Sequence, residues 1–334
     1  MVAPVHAHGR HQFISASSDS LVVAAPAKLN LFLEILGKRP DGYHELQSLM
    51  VAVNLFDTIE LQARTDGVIE LECDPPGLST GPDNLVFKAA ERLRQHVVQE
   101  PDAQARVNNA HPCLRVGLPI LGASIRLTKR IPMQAGLAGG SSDAASAILG
   151  LNRVWGLDLP HADLAAVAAE VGSDVAFFLS LPSAWCTGRG ELVSPEPSSR
   201  SFDVVLVCPP VGLATAEVYR RLQVPSSPID GSAARAAFRA GSPDALGAAL
   251  FNRLQPAAFH LAPVVETVYR RLAGLNPAGC LMSGSGSAVF ALCRDSQAAD
   301  RVAIAFRATR PPAEPESRVV VVRTLHIESA ASSA

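Results

Sequence analysis

The chain is short of several things at once. Only 5% of its 334 residues are aromatic and 18% are charged, with a formal net charge of −2. That balance gives no bulk attraction to nucleic acid or to an anionic membrane surface. The six cysteines, Cys73, Cys113, Cys186, Cys208, Cys280 and Cys293, include no Cys-x-x-Cys pair. Their scatter argues against a zinc site and a disulfide scaffold, and they read as small buried hydrophobes in a reducing compartment. No run approaches the ~18 apolar residues of a membrane span. The first ~20 residues lack the apolar stretch of a signal peptide, so a cytoplasmic location is expected. No internal repeat is visible. Two common phosphate motifs are missing as well: no Lys follows Gly140 to complete G-x-x-x-x-G-K-[ST], and no G-x-G-x-x-G opens a helix.

What is present is 48% hydrophobic residues in a chain long enough for two domains, each with its own core. The most informative stretch is 132–145. Before it, residues 123–131 alternate apolar and polar, as a half-buried strand does. After it, Ala144, Ala145, Ile148, Leu149 and Trp155 recur at helical spacing. Between them runs a loop rich in Gly and Ala that ends in Ser141, Ser142 and Asp143, all good helix-capping types. Strand, glycine-rich loop and helix N-terminus together make an anion cradle, because glycine lets backbone N–H groups approach a phosphate that the helix dipole favours. On composition alone the same loop is equally a tight turn.

Residues 21–36 read as two strand pieces divided at Pro26. Alternation puts Lys28 and Asn30 on one face and Leu29, Leu31 and Leu33 on the other. An edge-strand lysine in solvent is the plainer reading of Lys28. Residues 37–44 form a turn punctuated by Pro40, Asp41 and Gly42. Tyr43 and His44 at its end are either packing residues of a hairpin or an aromatic face and a hydrogen-bonding ring offered to a ligand. Strands follow at 51–61 and 68–73, then a helix capped by Asp83 and Asn84 that runs to Val98. Residues 99–118 make a long loop without period. Asp163 is expected to cap a helix over 164–171 that Gly172 closes, and Ser173 and Asp174 open a short apolar segment over 175–179. On its own, Asp174 reads equally as a plain helix cap.

The proline-bearing run 181–201 is taken as the passage into a second domain. A buried strand at 202–208, a helix from Thr215 to Leu222, helices across 244–273, a second glycine-rich element at 278–292, a helix at 296–308 and a last strand at 318–327 complete the chain. The expected organisation is a tail at 1–20 whose His6, His8 and His11 are mobile rather than metal-binding, domains at 21–185 and 186–328, and a tail at 329–334.

The string P-x-x-x-G-L-x-G-G-S-S-x-x-A at 132–145 resembles the ATP-binding signature of the GHMP small-molecule kinases. Two further motifs of that family stand in the required order, Pro26-Ala27-Lys28-Leu29-Asn30-Leu31 and Met282-Ser283-Gly284-Ser285-Gly286-Ser287. Asp41-Gly42-Tyr43-His44-Glu45-Leu46 and Gly172-Ser173-Asp174-Val175 are similar to the branch that phosphorylates a cytidine-diphosphate-linked polyol of isoprenoid precursor synthesis. The resemblance implies an α+β, two-domain GHMP kinase fold. Its N-terminal domain is like ribosomal protein S5 domain 2, its C-terminal domain is ferredoxin-like, and the active site lies in the interdomain cleft.

The resemblance further implies that Lys28 and Asp174 flank the accepting hydroxyl while Asn30 holds its surroundings. Tyr43 stacks on the cytosine, His44 bonds its edge, and Thr215 and Tyr219 line the opposite wall. Pro132, Met133, Gln134 and Ala135 lead into Gly136, Leu137, Ala138, Gly139, Gly140, Ser141 and Ser142, which wrap ATP phosphates, with Gly284 and Gly286 as support. Mg²⁺ accompanies ATP and needs no protein ligand cluster, because it leans on waters and substrate phosphates. An aspartate is a weak base at neutral pH, and a loose transition state releases the proton late. Asp174 is therefore expected to orient the hydroxyl and take its proton late, while Lys28 stabilises the developing charge.

The implied partners are the small substrate and ATP, with no nucleic acid and no membrane, in a monomer or weak homodimer. Two other readings are another GHMP kinase of the homoserine or mevalonate type, which Tyr43 and His44 disfavour, and a silent ligand-sensing relative, which Lys28 and Asp174 disfavour. Gln134 and Ala135 stand where glycines are common and predict a stiffer loop opening. Ala176 and Tyr219 also depart from the family's usual Pro and Phe.

Overall fold

The computed structural model of the chain describes residues 13–16, 20–99 and 121–326. Two long strands, Ser20–Lys38 and His44–Arg64, form a hairpin around the Pro40-Asp41-Gly42 turn. Gly42 takes the left-handed conformation at φ 85°, and its N–H donates to the Arg39 carbonyl at 3.1 Å. The first strand is one piece where the sequence predicted a break at Pro26. Proline's fixed φ suits extended backbone, and its missing N–H removes a single ladder bond.

The chain divides into two compact units, each built from separated stretches. One holds Met1–Pro26, Phe56–Ile131 and Gly139–Leu179, and the other Ala27–Leu55, Pro132–Ala138 and Ser180–Ala334.

In the first unit residues 58–64 pair antiparallel with Gly122–Thr128, to which Ile69–Asp74 runs parallel. Parallel neighbours need a long crossover, and helix Leu85–Gln99 lies between these two strands in the chain. Its buried stripe is Val86, Ala89, Ala90, Leu93 and Val97, the spacing of one helical face. Asn84 Oδ1 accepts from the Val86 N–H at 2.9 Å, so the expected cap is made by Asn84. Helix Gly139–Val154 starts two residues before Ser141. Ser141 and Ser142 therefore sit inside its first turn and Asp143 just beyond it, none of them at the cap. Similarly, helix His161–Val171 begins after Pro160, and Asp163 lies in the first turn instead of at the cap. Within the stretch read as an N-terminal tail, Phe13–Ala16 pairs antiparallel with residues 21–23. The tail histidines, most of the 99–118 loop and the 329–334 tail lie outside the described residues.

In the second unit the 181–201 passage is a hairpin, Ser183–Gly188 with Leu192–Pro195, whose first strand pairs antiparallel with residues 46–51. Phe251–Asn252 adds a short parallel pairing to Phe32 and Leu33. A separate four-stranded antiparallel sheet has the order Gly279–Met282, Val289–Cys293, Asp203–Cys208, Arg318–Arg323. Helices Pro263–Ala273 and Ser296–Ala308 interleave with those strands as β-α-β-β-α-β. That is the ferredoxin-like arrangement expected for the C-terminal part. Its core includes Val205, Val207, Val265, Val268, Leu272, Val289 and Phe306.

Candidate active site

The first strand is buried on both faces from Val23 to Ile35, and Lys28 lies in the middle of that run. The plain reading of Lys28 as a solvent-exposed edge residue is therefore wrong: it is 3% exposed and Asn30 is 1% exposed. Buried polar groups must find partners, and these two find each other, with Lys28 Nζ donating to Asn30 Oδ1. Asn30 Nδ2 donates to Ser48 Oγ at 2.8 Å, and Ser48 Oγ donates to the Phe32 carbonyl at 2.7 Å. The ammonium is thus held by an amide whose own orientation is fixed from the neighbouring strand.

Two other motifs close on the same point. The Lys28 N–H donates to the Leu137 carbonyl at 3.1 Å, and Ser283 Oγ donates to the Gly136 carbonyl at 3.0 Å. Gly136 has φ 73°, and a Cβ on it would lie 2.0 Å from the Ser283 carbonyl oxygen. A Cβ on Gly284 would stand 2.9 Å from the Gly136 oxygen, 3.1 Å from Lys28 Nζ and 3.3 Å from Asn30 Oδ1. Glycine is required at 136 by backbone conformation and by close approach together. The turn at 283–286 is braced by Asn252, whose Nδ2 donates to the Met282 carbonyl at 2.7 Å and the Gly284 carbonyl at 2.8 Å. Lys28, Asn30, Gly136 and Gly284 are thereby brought together. Gln134 and Ala138 carry the left-handed backbone without being glycine, at φ 50° and 51°. Gln134 is fixed by its carbonyl, which accepts from the Leu213 N–H at 3.2 Å.

Further along the same unit, the His44 and Tyr219 rings lie 5.1 Å apart between centroids at 38°. Burial, helped by the Lys38 charge, holds the His44 imidazole below its ordinary 6.5. Its neutral form then dominates near pH 7, able to donate from one nitrogen and accept at the other. Tyr43 is 53% exposed, with the Arg189 guanidinium 4.7 Å from its ring centroid. Thr215 Oγ1 and Ser285 Oγ share a hydrogen bond of 2.9 Å.

The first unit carries the helix that opens at Gly139, with Ser141 and Ser142 in its first turn. Ser142 Oγ is buried and has no hydrogen-bond partner among the described residues. Asp174 precedes the four-residue helix Val175–Phe178 but makes no side-chain cap bond to it. The plain-cap reading of Asp174 thus loses the interaction that would define it. No group of three or more His, Cys, Asp and Glu side chains that could hold a metal is found among the described residues. Nor is any helix among them long and apolar enough to cross a membrane.

Sequence reasoning missed Ser48, Asn252 and the Asp57–Lys129–Asp143 cluster described below. Ser48 and Asn252 act by bonding residues far away in the chain, so neither falls in a motif. A polar residue in a strand that is otherwise apolar on both faces was the one available sign.

The chain belongs to the GHMP kinase family. The family model for the GHMP kinases N terminal domain matches residues 84–180, and that for GHMP kinases C terminal matches residues 234–311. Within the family the chain is 36% identical to the 4-diphosphocytidyl-2-C-methyl-D-erythritol kinase of Pelotomaculum thermopropionicum, over 92% of this chain and 98% of that protein. It is 43% identical to the protein of the same name from Synechococcus sp., over 84% of this chain and 88% of that one. A crystal structure of 4-(cytidine 5'-diphospho)-2C-methyl-D-erythritol kinase superposes with a TM-score of 0.68 at 31% identity, covering 90% of this chain and 98% of that one. Homoserine kinase from Cytophaga hutchinsonii superposes at 0.69 with 21% identity over 92% and 96% of the two chains, a likeness of fold alone.

Proposed function

We propose that the chain is an ATP-dependent kinase that phosphorylates the 2-hydroxyl of 4-diphosphocytidyl-2-C-methyl-D-erythritol. The observation that carries this reading is the bonded cluster of Lys28, Asn30, Gly136, Leu137 and Ser283, in which residues of the three family motifs are linked around one buried lysine. The relatives at 36% and 43% identity carry the substrate assignment.

Phosphoryl transfer is mainly positioning and charge stabilisation. Lys28, held by Asn30, supplies a fixed positive charge beside the accepting oxygen, while Asp174 orients the hydroxyl and receives its proton late. The backbone N–H groups over 136–142 bind the phosphates. Tyr43 stacks on the cytosine, which is worth about 1–3 kcal/mol per base, and the neutral His44 ring answers the base edge. Thr215 and Tyr219 form the facing wall.

Mg²⁺ retains waters and leans on substrate phosphates, so a site without a carboxylate cage suits it. The unpartnered Ser142 hydroxyl is an oxygen donor of the right kind. The ion would neutralise charge on the transferring phosphoryl group.

The test is coupled ADP release with the cytidyl substrate, homoserine, mevalonate and galactose offered in turn. Turnover is expected on the first alone. Turnover on one of the others, with none on the first, refutes the assignment.

A further inference from the structure

Two buried carboxyl groups and a largely buried lysine lie where the chain enters and leaves the 132–138 segment, and no role in the reaction has been given to them. Asp57 is fully buried, and its Oδ1 accepts the backbone N–H groups of Arg130 and, at 2.8 Å, Ile131. These are the last two residues before the segment. Its Oδ2 takes a hydrogen bond from Lys129 Nζ. That ammonium also donates to Asp143 Oδ2 at 2.6 Å, near the start of the helix that follows the segment. A Cβ on Gly139, the first residue of that helix, would lie 3.1 Å from Lys129 Nζ and 3.0 Å from the Ile131 side chain. One ammonium therefore ties the end of the preceding strand to the start of the following helix, both within the first unit.

We propose that Asp57, Lys129 and Asp143 form a staple that sets the spacing between the two ends of the 132–138 segment. Asp57 is then a positioning residue for nucleotide binding. The inference rests on reading 136–142 as the ATP phosphate loop.

Stability alone is a poor reason for such a cluster. Buried ion pairs give back little more than the desolvation they require, and well-packed apolar groups in their place are often as stable or more so. Burial also pushes the Asp143 carboxyl up, against the pull of Lys129. Asp143 Oδ1, moreover, has no hydrogen-bond partner among the described residues. The cluster is thus electrostatically costly, yet it fixes geometry well. Two side-chain-to-backbone bonds set the path of the chain at Arg130 and Ile131, and the ammonium sets the distance to the helix N-terminus. Free N–H groups at a helix start bind phosphate only if they are held where the phosphate will be.

The test measures nucleotide affinity by titration of a fluorescent ATP analogue. It also measures the KM for ATP, the KM for the cytidyl substrate and kcat, all on full-length protein whose fold is checked by circular dichroism. Asp57→Asn keeps the size and one acceptor oxygen but removes the charge. It is expected to weaken nucleotide binding and raise the KM for ATP by about tenfold, in the range of a small misplacement, with the other constants within about twofold. Should that variant fail to fold, Asp143→Ala leaves the Asp57–Lys129 pair intact and cuts only the helix end of the staple. The same selective loss of nucleotide affinity is expected from it. Unchanged nucleotide affinity in a folded variant, or an equal loss for both substrates, overturns the staple. Wild-type protein that binds no nucleotide overturns the kinase reading as well, and so separates the two failures.

Discussion

An ammonium that is 3% exposed has to be satisfied by its immediate neighbours, and Lys28 is satisfied by a neutral amide. A neutral partner in that bond holds the ammonium in place without itself adding a negative charge beside it. In the proposed mechanism Asp174 receives the proton, and replacing its carboxylate with an amide removes that acceptor but keeps the shape. Asp174→Asn is expected to lower kcat by at least about 10²-fold, the lower end of acid–base contributions; near-normal turnover in a steady-state assay would demote the residue. Tyr43→Ala should mainly raise the KM for the cytidyl substrate, because a stacking contact made equally in ground and transition states leaves kcat unchanged.

His44 gives a pH dependence whose sign follows from burial. Its folded-state pKa lies below the ordinary 6.5, so on acidification the unfolded chain takes up the proton first. The residue therefore withdraws stability as pH falls below 6.5, and contributes no pH dependence above it. Binding follows the same direction, since protonation converts the imidazole's acceptor nitrogen into a donor. The KM for the cytidyl substrate is expected to be flat at neutral pH and above, and to rise only below 6.5, as pH approaches the lowered folded-state pKa. A KM that falls on acidification would contradict the neutral-ring assignment.

At the scale of elements, the glycine-rich segment and the 283–286 turn are mutually constrained. Gly136→Ala would place a methyl 2.0 Å from the Ser283 carbonyl and force φ 73° on an L side chain. The expected result is loss of most activity together with a lower melting temperature, read by thermal denaturation and the ADP assay. A normal melt with normal turnover would show that the contact is dispensable. The sequence made much of this architecture legible. The strand before the segment, the helix after it, the Gly42 turn and the strand at 203–208 follow from periodicity and turn residues. The ferredoxin-like arrangement came instead from the family resemblance, and the two strands within 278–292 were read as a single glycine-rich element. Lys28 was misread because alternation reports two faces but not whether both are covered. The early start of the helix at Gly139 was missed because serine and aspartate read as cap residues even when they already lie inside the helix. Asn252 and Asp57 were invisible because their partners lie tens of residues away or on backbone atoms.

At the scale of the molecule, ATP and the cytidyl substrate should each stabilise the native state by mass action, about 2.7 kcal/mol when a ligand is at 100 times its Kd. Thermal melts with each ligand alone check this, and a melting temperature unmoved by either would count against the binding assignments. The two units differ in when their last piece becomes available. The first is complete in sequence at Leu179, whereas the second joins Ala27–Leu55 to a stretch that begins at Ser180. During synthesis, units fold as their residues emerge. The segment bearing Lys28 and Asn30 must therefore wait, already outside the ribosome, until the ferredoxin-like strands have been translated, and the Lys28 ammonium is among the last parts of the chain to be enclosed.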